Sequence, residues 1–212
     1  MSSDNLLDEY ILSHITAEPA HLARLYRRTH LNHLYPRMCS GHLQGRILSM
    51  LMAMIQPRYV LELGTFTGYS ALCLAEHIRP DGEVHTIEVD DEMEEELTRL
   101  FESSPGGESI MLHIGDAEAL IPTIDREWDV VYIDANKRRY IEYIDLALPR
   151  LRKGGFIIAD NTLWDGKVVD TTANHDAQTV SLDRFNSYVA SNPELETVII
   201  PVRDGLTLIR KK

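Results

Sequence analysis

Short apolar runs recur along the middle of the chain, and each is followed by polar residues and a segment long enough for a helix. Continuous apolar runs of this length are typical of strands that are buried on both faces of a parallel sheet. The alternation of such runs with helical segments predicts β-α-β units and a doubly wound α/β fold. We expect strands at 59–63, 84–89, 110–114, 130–133 and 156–159, and helices at about 69–79, 91–103 and 139–152.

The C-terminal tail departs from this alternation. Two strand-like runs, 197–202 and 206–209, are joined by a segment that contains Asp204-Gly205. Asp-Gly between apolar runs favours a hairpin turn. A mostly parallel sheet that finishes with an antiparallel hairpin is therefore predicted.

The residues before the first strand look helical in three pieces, within 4–57. The last piece, about 42–55, repeats apolar residues at helical spacing and ends before Pro57, which cannot continue a helix. Its apolar face is expected at positions 43, 47, 48, 51, 54 and 55. We interpret residues 1–57 as helices packed on a core of residues 58–212, so that the chain forms one domain.

Composition limits the function classes open to the chain. With 33 acidic and 21 basic residues, its net charge of -12 argues against a broad nucleic-acid or membrane-binding surface. Cys39 and Cys73 lie far apart and form no CxxC pair, so neither a disulfide framework nor a cysteine zinc site is expected. No run approaches the roughly 18 apolar residues of a membrane span, and the first residues are acidic where a signal peptide needs positive charge. We therefore expect a cytoplasmic protein.

A glycine loop follows the first predicted strand, where ligands bind in doubly wound sheets. Gly64 and Gly68 have GxxxG spacing, unlike the GxGxxG of dinucleotide binders. Glu62, two residues before the loop, would repel a pyrophosphate but suits a ligand with an amino group. Glu88, near the end of the second strand, can accept hydrogen bonds from two ribose hydroxyls. Together they describe S-adenosylmethionine better than NAD; the alternative is an ordinary glycine-rich turn with solvated glutamates.

Oxygen-bearing side chains follow the fourth and fifth predicted strands. Asp134 comes directly after one strand, and Asp160 and Asn161 come directly after the next. These strand ends are expected side by side, at the same edge of the sheet as the glycine loop. Two carboxylates and an amide oxygen, with no Cys or His nearby in sequence, favour Mg²⁺, Mn²⁺ or Ca²⁺ over zinc. The alternative is that each aspartate only caps a helix.

Lys137 follows Asp134 by three residues, so its ammonium group can point at the same place. A lysine with its ordinary pKa of about 10.4 is a poor base at neutral pH, and an adjacent cation could lower that pKa to a useful value. Lys137 is therefore a candidate to take up, or to stabilise electrostatically, the proton that leaves the substrate. The alternative is an exposed lysine.

The motifs in order are Glu62-x-Gly64-x3-Gly68-Tyr69-Ser70, Glu88, Gly115-Asp116-Ala117, Asp134-x2-Lys137, Asp160-Asn161-Thr162-Leu163-Trp164 and Asp204-Gly205. This combination resembles the cation-dependent O-methyltransferases, the family of caffeoyl-CoA and catechol O-methyltransferases, over about residues 36–210. The resemblance implies a Rossmann-like fold with a seven-stranded sheet, and commonly a homodimer.

The resemblance also implies a role for each matching position. The cofactor-binding residues would be Met38, Ser40, Glu62, Gly64, Ser70, Glu88, Asp116, Ala117 and Asp134. Among them, Glu62 would meet the amino group of S-adenosylmethionine, Ser70 its carboxylate, and Asp116 and Ala117 its adenine. Asp134, Asp160 and Asn161 match the metal ligands, while Lys137 and Asp134 match the catalytic residues.

The acceptor predicted by the resemblance is a small phenolic molecule whose neighbouring hydroxyls chelate the metal. Asn136 and Trp164 are candidate substrate contacts, and Asn136 departs from the family, where Asp or Trp is common. Two alternatives stay open. One is methylation of a hydroxylated tRNA base, for which Arg24, Arg27, Arg28 and Arg37 could form a basic strip although the net charge disfavours it. The other is a nucleotide-binding oxidoreductase, which the absence of GxGxxG disfavours.

Overall fold

The computed structural model describes residues 3–170 and 176–212 of the chain. Within these ranges seven strands form one sheet: β1 (Tyr59–Leu63), β2 (Glu83–Glu88), β3 (Ile110–Ile114), β4 (Trp128–Ile133), β5 (Leu151–Asp160), β6 (Leu195–Ile200) and β7 (Leu206–Lys211). Their order across the sheet is β3-β2-β1-β4-β5-β7-β6, with β1 to β5 parallel and β7 antiparallel to β5 and β6. The predicted mostly parallel sheet with an antiparallel C-terminal hairpin is confirmed.

Helices cover both faces of the sheet. They are α1 (Ser3–His14), α2 (Ala20–Asn32), α3 (Gly41–Ile55), α4 (Tyr69–Ala75), α5 (Glu94–Ser103), α6 (Ala117–Leu120), α7 (Tyr140–Ala147) and α8 (Ala177–Ser191). One apolar cluster joins α2, α3, α4 and α5 to strand residues such as Val60 and Val130. A second cluster joins α6, α7 and α8 to the alternate residues, such as Leu61 and Val131. Of the helices in the described ranges, none is long and apolar enough to span a membrane.

The boundary between α7 and β5 differs from the sequence prediction. A helix was expected over 139–152, but α7 ends at Ala147 and a short 3₁₀ turn follows. Pro149 lies in that turn and has no backbone N–H for an α-helix. Leu151 then pairs with Trp128 of β4, so β5 begins earlier than predicted and is ten residues long.

Helix α8 is absent from the sequence prediction. It begins after Asp176, whose Oδ1 accepts hydrogen bonds from the backbone N of Gln178 and Thr179, both at 2.9 Å. Leu182 and Phe185 are buried on its inner face, against the second apolar cluster. Its cap and its apolar spacing were readable, but they follow a polar segment that does not resemble a strand end.

Helix α3 buries part of the predicted apolar face and adds small and polar residues to it. Ile47, Leu51 and Ile55 are partly buried against the first apolar cluster. Leu48 is buried as expected, but Met54 is 75% exposed. The buried face consists of Gly41, Gln44, Gly45, Leu48, Ser49 and Met52. Gly45 allows this packing, because a Cβ there would lie only 2.8 Å from the ring of Tyr69 on α4. Close approach of the two helices therefore turns small and polar residues inward and leaves Met50 and Met54 exposed.

Candidate active site

The carboxyl ends of β1, β4 and β5 meet at one edge of the sheet. Leu63 pairs with Ile133, and Ile133 pairs with Ala159. Asp134 and Asp160, each one residue further along, therefore lie on neighbouring strand ends. The structure brings together the two carboxylates that the sequence proposed as metal ligands.

The glycine loop crosses directly over the end of β4. Gly64 has a φ of 93°, and its N donates to the carbonyl oxygen of Ile87 at 3.0 Å. A Cβ at this position would lie 2.2 Å from the carbonyl oxygen of Asp134, so no other residue fits. Gly68, with a φ of 81°, is the N-cap residue directly before α4. The loop therefore packs against Asp134, and the backbone of the loop lies near the predicted ligand crevice.

Glu62 is fully buried under this loop. Its Oε2 accepts a 2.6 Å hydrogen bond from Thr86, while its buried Oε1 has no partner among the described residues. Burial raises the pKa of Glu62 to about 8, and the negative charges of Asp134 and Glu88 add to the effect, although hydrogen bonds from Ser70 and Thr86 oppose it. A buried carboxylate with a free oxygen suits a positively charged ligand group, such as the ammonium of S-adenosylmethionine.

Glu88 also supports the glycine loop. Its Oε2 accepts hydrogen bonds from the backbone N of Thr65 at 3.2 Å and of Phe66 at 2.7 Å, and its Oε1 accepts one from Asp90 N at 3.0 Å. This buried side chain therefore fixes the loop at the end of β2. It lies at the sheet edge where the ribose-binding acid is expected.

Asp116 and Ala117 lie next to Glu88. The N of Gly115 donates to the carbonyl oxygen of Glu88 at 2.7 Å, which sets the start of α6 beside the end of β2. Asp116 is exposed and caps α6, with its Oδ1 accepting from the N of Glu118 and Ala119. The side chain thus has a structural role in addition to the adenine contact predicted for it.

Asp160 is buried and held by several donors. Its Oδ2 accepts from Gln44 Nε2 at 2.5 Å and from the Tyr132 hydroxyl at 3.2 Å, and its Oδ1 accepts from Asn161 N at 2.8 Å. Burial and the charge of Asp134 raise the pKa of Asp160 to about 6, although the hydrogen bond from Gln44 opposes the shift. A positive ion bound beside Asp160 would relieve its charge repulsion with Asp134.

The donor chemistry at this edge fits a hard divalent cation. Asp134, Asp160 and Asn161 offer only oxygen atoms, which Mg²⁺, Mn²⁺ and Ca²⁺ prefer. In the described part of the chain, no three His, Cys, Asp or Glu side chains come together as a metal-binding group. Asn161, the predicted third ligand, follows Asp160 directly on backbone with a φ of 58°.

Lys137 pairs with Asp134 as the sequence predicted. Its Nζ lies 2.5 Å from Asp134 Oδ1 and 5.4 Å from the centre of the Tyr140 ring. Burial opposes the charged form, but the Tyr140 hydroxyl and the Asp134 carboxylate outweigh it and raise the pKa of Lys137. The ammonium group is held charged by these contacts.

The turn after β6 contacts two segments that contain residues proposed to border the cofactor or the acceptor, namely Met38, Ser40 and Trp164. Arg203 in that turn donates to the carbonyl oxygen of Ser40, which is buried, while Met38 is half-exposed. The carbonyl oxygen of the next residue, Asp204, accepts from the N of Trp164 at 3.2 Å. One turn thus connects the segment before α3 to the Trp164 loop.

Asn136 takes a different position from these residues. It is exposed, and its Oδ1 accepts from the N of Arg138 at 3.2 Å. Asn136 therefore begins the 3₁₀ turn that carries Lys137. A contact with substrate would need a molecule that extends over this turn.

Sequence reasoning missed several polar residues of the site. Gln44 and Tyr132 contact Asp160, and Gln44 Oε1 accepts from Arg203 at 2.9 Å. The Tyr140 hydroxyl lies 3.1 Å from the carbonyl oxygen of Asp160. One signal existed in the sequence: Gln44 is a polar residue one turn before Leu48, on the same face of the predicted helix.

Comparison with known proteins agrees with this geometry. A sequence model described as O-methyltransferase matches residues 12–212. The chain belongs to the O-methyltransferase family. The resemblance to these enzymes and the Rossmann-like fold that it implied are therefore confirmed.

Two relatives show how far the likeness to O-methyltransferases extends. Caffeoyl-CoA O-methyltransferase 5 of Nicotiana tabacum is 30% identical, covering 100% of this chain and 92% of the tobacco protein. The crystal structure of the O-methyltransferase TomG from Streptomyces achromogenes, in complex with SAM, superposes with a TM-score of 0.91 at 29% identity. That match covers 100% of this chain and 99% of TomG.

Proposed function

We propose that the chain transfers the methyl group of S-adenosylmethionine to one hydroxyl of a metal-chelating vicinal diol, such as a catechol. The observation that carries the proposal is the meeting of Glu62, Asp134 and Asp160 at one sheet edge, with a buried Glu62 oxygen unpartnered among the described residues. Membership of the O-methyltransferase family supports the reaction class. The TomG structure, which holds SAM, supports the methyl donor.

In this proposal the cofactor residues contact different parts of the methyl donor. Glu62 receives its ammonium group and Glu88 its ribose hydroxyls, while Gly64 lets the backbone approach. Ser70, which is buried at the start of α4, serves the carboxylate end. The remaining cofactor residues are Met38, Ser40, Asp116, Ala117 and Asp134.

The metal in this proposal is Mg²⁺, with Mn²⁺ or Ca²⁺ as alternatives, held by Asp134, Asp160 and Asn161. A divalent cation bound there would acidify the substrate hydroxyl, as such ions do for bound water. Oxygen-only ligands and the repulsion between the buried Asp160 and the partly buried Asp134 support this assignment.

Lys137 stabilises the negative charge that remains on the substrate oxygen when its hydroxyl proton is released to solvent. Its Nζ lies 2.5 Å from Asp134 Oδ1, so a substrate oxygen on a metal held by Asp134 would have a positive charge nearby. Of the two roles predicted for Lys137, electrostatic stabilisation agrees best with these contacts. The further contribution of the chain is positional, because holding donor and acceptor in line removes much of the entropic barrier to methyl transfer. Trp164 and Asn136 are proposed to contact the acceptor.

A homodimer is part of the proposal. Met50 and Met54 on α3 are 60% and 75% exposed, and Leu34 and Tyr35 before α3 are also exposed. Large exposed apolar side chains on and before α3 support the proposal that this part of the chain contacts a second copy. Size-exclusion chromatography with light scattering tests the homodimer, and cell fractionation tests the proposed cytoplasmic location.

The experiment for the reaction uses SAM labelled in its methyl group and one acceptor at a time. The acceptors are a catechol, a caffeate ester and bulk tRNA, each assayed with Mg²⁺, with Mn²⁺ and after EDTA treatment. We expect label on the catechol-type acceptors only when metal is present.

Other outcomes select other functions. Transfer that persists after thorough EDTA treatment contradicts the metal mechanism. Label on tRNA alone favours the hydroxylated tRNA base as the acceptor. Binding of NAD in place of SAM favours the oxidoreductase.

A further inference from the structure

Gln44 is a buried amide in the middle of a polar network that connects three distant parts of the chain. It is 2% exposed and lies on the inner face of α3. Its Nε2 donates to Asp160 Oδ2 at 2.5 Å and to the Tyr132 hydroxyl at 2.9 Å. Its Oε1 accepts from Arg203 Nη1 at 2.9 Å. Every polar atom of the side chain is therefore used.

The orientation of the amide is set by Arg203. A guanidinium group has only donors, so it must face the amide oxygen and not the nitrogen. The two N–H groups of Gln44 are then directed toward Asp160 and Tyr132. The same Arg203 Nη1 also donates to the carbonyl oxygen of Ser40, which anchors it to the segment before α3.

The contacts of Asp160 show what this orientation achieves. An ionised carboxylate has about four lone-pair sites. Gln44 and Tyr132 occupy the two on Oδ2, and the N of Asn161 occupies one on Oδ1. The carboxylate cannot rotate without losing these bonds, and the lone pair left over is on Oδ1.

We propose that Gln44, oriented by Arg203, is the positioning residue that fixes the Asp160 carboxylate for a divalent cation. This inference rests on the proposed metal site and assigns no direct metal contact to Gln44. Residues that orient metal ligands typically change metal affinity by about 10- to 100-fold when they are replaced. Gln44 would also make metal affinity depend on the turn that carries Arg203.

The test measures Mn²⁺ binding by the electron paramagnetic resonance signal of the free ion, with S-adenosylhomocysteine present. Gln44→Met keeps the length of the side chain and removes its hydrogen bonds. We expect Mn²⁺ affinity to fall about 10- to 100-fold. S-adenosylhomocysteine affinity, measured calorimetrically in EDTA, should stay at the wild-type value. Ser49→Ala on the same helix, where Ser49 bonds Glu76 at 2.5 Å, is the matched control and should keep both affinities.

A double-mutant cycle separates positioning from packing. Arg203→Met should weaken Mn²⁺ binding in the wild-type background and have no further effect in Gln44→Met, because Arg203 acts through Gln44. If Gln44→Met does not fold, the single Arg203→Met variant decides the question.

Three results would overturn the inference. They are wild-type Mn²⁺ affinity in Gln44→Met or in Arg203→Met, additive effects of the two substitutions, and an equal loss of S-adenosylhomocysteine affinity in EDTA. If the wild-type protein itself binds no Mn²⁺, the proposed metal-dependent function fails as well. If the wild type binds Mn²⁺ and Gln44→Met binds it equally well, only the role of Gln44 is rejected.

Discussion

Asp129, at the amino end of the parallel strands, and Glu62 and Asp160, at the carboxyl end, have pKa values shifted in opposite directions. At the amino end, Asp129 accepts from the N of Arg58 and Tyr59 and from the Arg152 side chain. Burial would raise the pKa of Asp129, but these hydrogen bonds outweigh it and lower the pKa. At the carboxyl end, Glu62 and Asp160 bond neutral donors, and burial raises their pKa values.

This difference separates stability from function. Arginine partners neutralise the acids at the amino end, so those acids stabilise the fold. At the carboxyl end, Glu62 and Asp160 accept hydrogen bonds only from neutral groups among the described residues, so burial favours their protonated forms and a bound positive group would favour the ionised ones. Some of the acidic residues behind the net charge of -12 therefore lie at this edge of the sheet, where they favour positively charged ligands.

The largest expected effect tests the carboxyl end. Asp160→Ala should lower the rate of methyl transfer by about 10³-fold or more, because a catalytic metal contributes several kcal/mol to transition-state stabilisation. The measurement is the initial rate with saturating Mg²⁺ and a catechol acceptor, with folding checked by circular dichroism. A folded variant with near wild-type activity would contradict the metal site.

The matching test at the amino end is Asp129→Ala. It removes three hydrogen bonds to a charged group, and even one such bond is worth about 1.5–3 kcal/mol. We expect the free energy of unfolding in urea to fall by at least about that amount, while kcat stays unchanged. Asp125→Ala is the control, since that exposed side chain only approaches Arg150 at 4.0 Å and should change stability little. A loss of kcat in folded Asp129→Ala would break the comparison.

The third prediction concerns pH and Glu62. With a pKa of about 8, the carboxyl group holds a proton near pH 7 in the ligand-free protein, whereas an ammonium ligand favours the ionised form. Binding of S-adenosylhomocysteine should release a proton and strengthen by up to about tenfold per pH unit between roughly pH 6 and 7.5. Calorimetry in buffers of different ionisation enthalpy measures both effects. Glu62→Gln should abolish them, and a pH dependence that survives in this variant would reject the assignment.

The raised pKa of Glu62 has a consequence for stability as well. The folded protein binds a proton at Glu62 more tightly than the unfolded chain does. The contribution of this protonation to the free energy of unfolding is therefore fully present below the ordinary pKa of 4.5. It is lost as the pH rises through about 8. Urea unfolding of the ligand-free protein should show this fall, and Glu62→Gln should remove it.

The smallest effect concerns the histidines of β2 and β3. His85 and His113 share a 3.0 Å hydrogen bond, and burial lowers the pKa of both. Glu83 opposes the shift of His85, whereas Arg126 adds to it. Because the folded state disfavours the protonated forms, their contribution is present above pH 6.5 and is lost as the pH falls through the lower folded pKa values.

Urea unfolding at several pH values below neutrality measures this loss. His113→Gln should reduce the acid-induced fall in the unfolding midpoint, because it removes one of the two groups that must be protonated. Exposed His77→Gln, at the surface after α4, is the control and should leave the fall unchanged. An equal reduction in both variants would contradict the role of the buried pair.

The acidic residues at the strand ends belong to the part of the site that could be predicted from the sequence. Glu62, Glu88, Asp134 and Asp160 were identifiable because each lies at or just after the end of an apolar run, and parallel strands align such ends. The pattern of α3 was less informative: it predicted a helix and part of its apolar face, but not the burial of Gln44, Gly45 and Ser49. Gly45 decides that burial by allowing contact with Tyr69, which is distant in sequence.

The sequence by itself determined the alternation of strands and helices, the hairpin at the C-terminus and the acids at the sheet edge. These features follow from local periodicity and from the geometry that all parallel sheets share. Only the tertiary structure decided which neutral groups surround those acids. Gln44 meets Asp160 across 116 positions of the chain and Arg203 across 159, because α3 and the turn after β6 pack at the same edge. Hydrogen bonds between such distant residues depend on how the helices pack, and no local pattern encodes that packing.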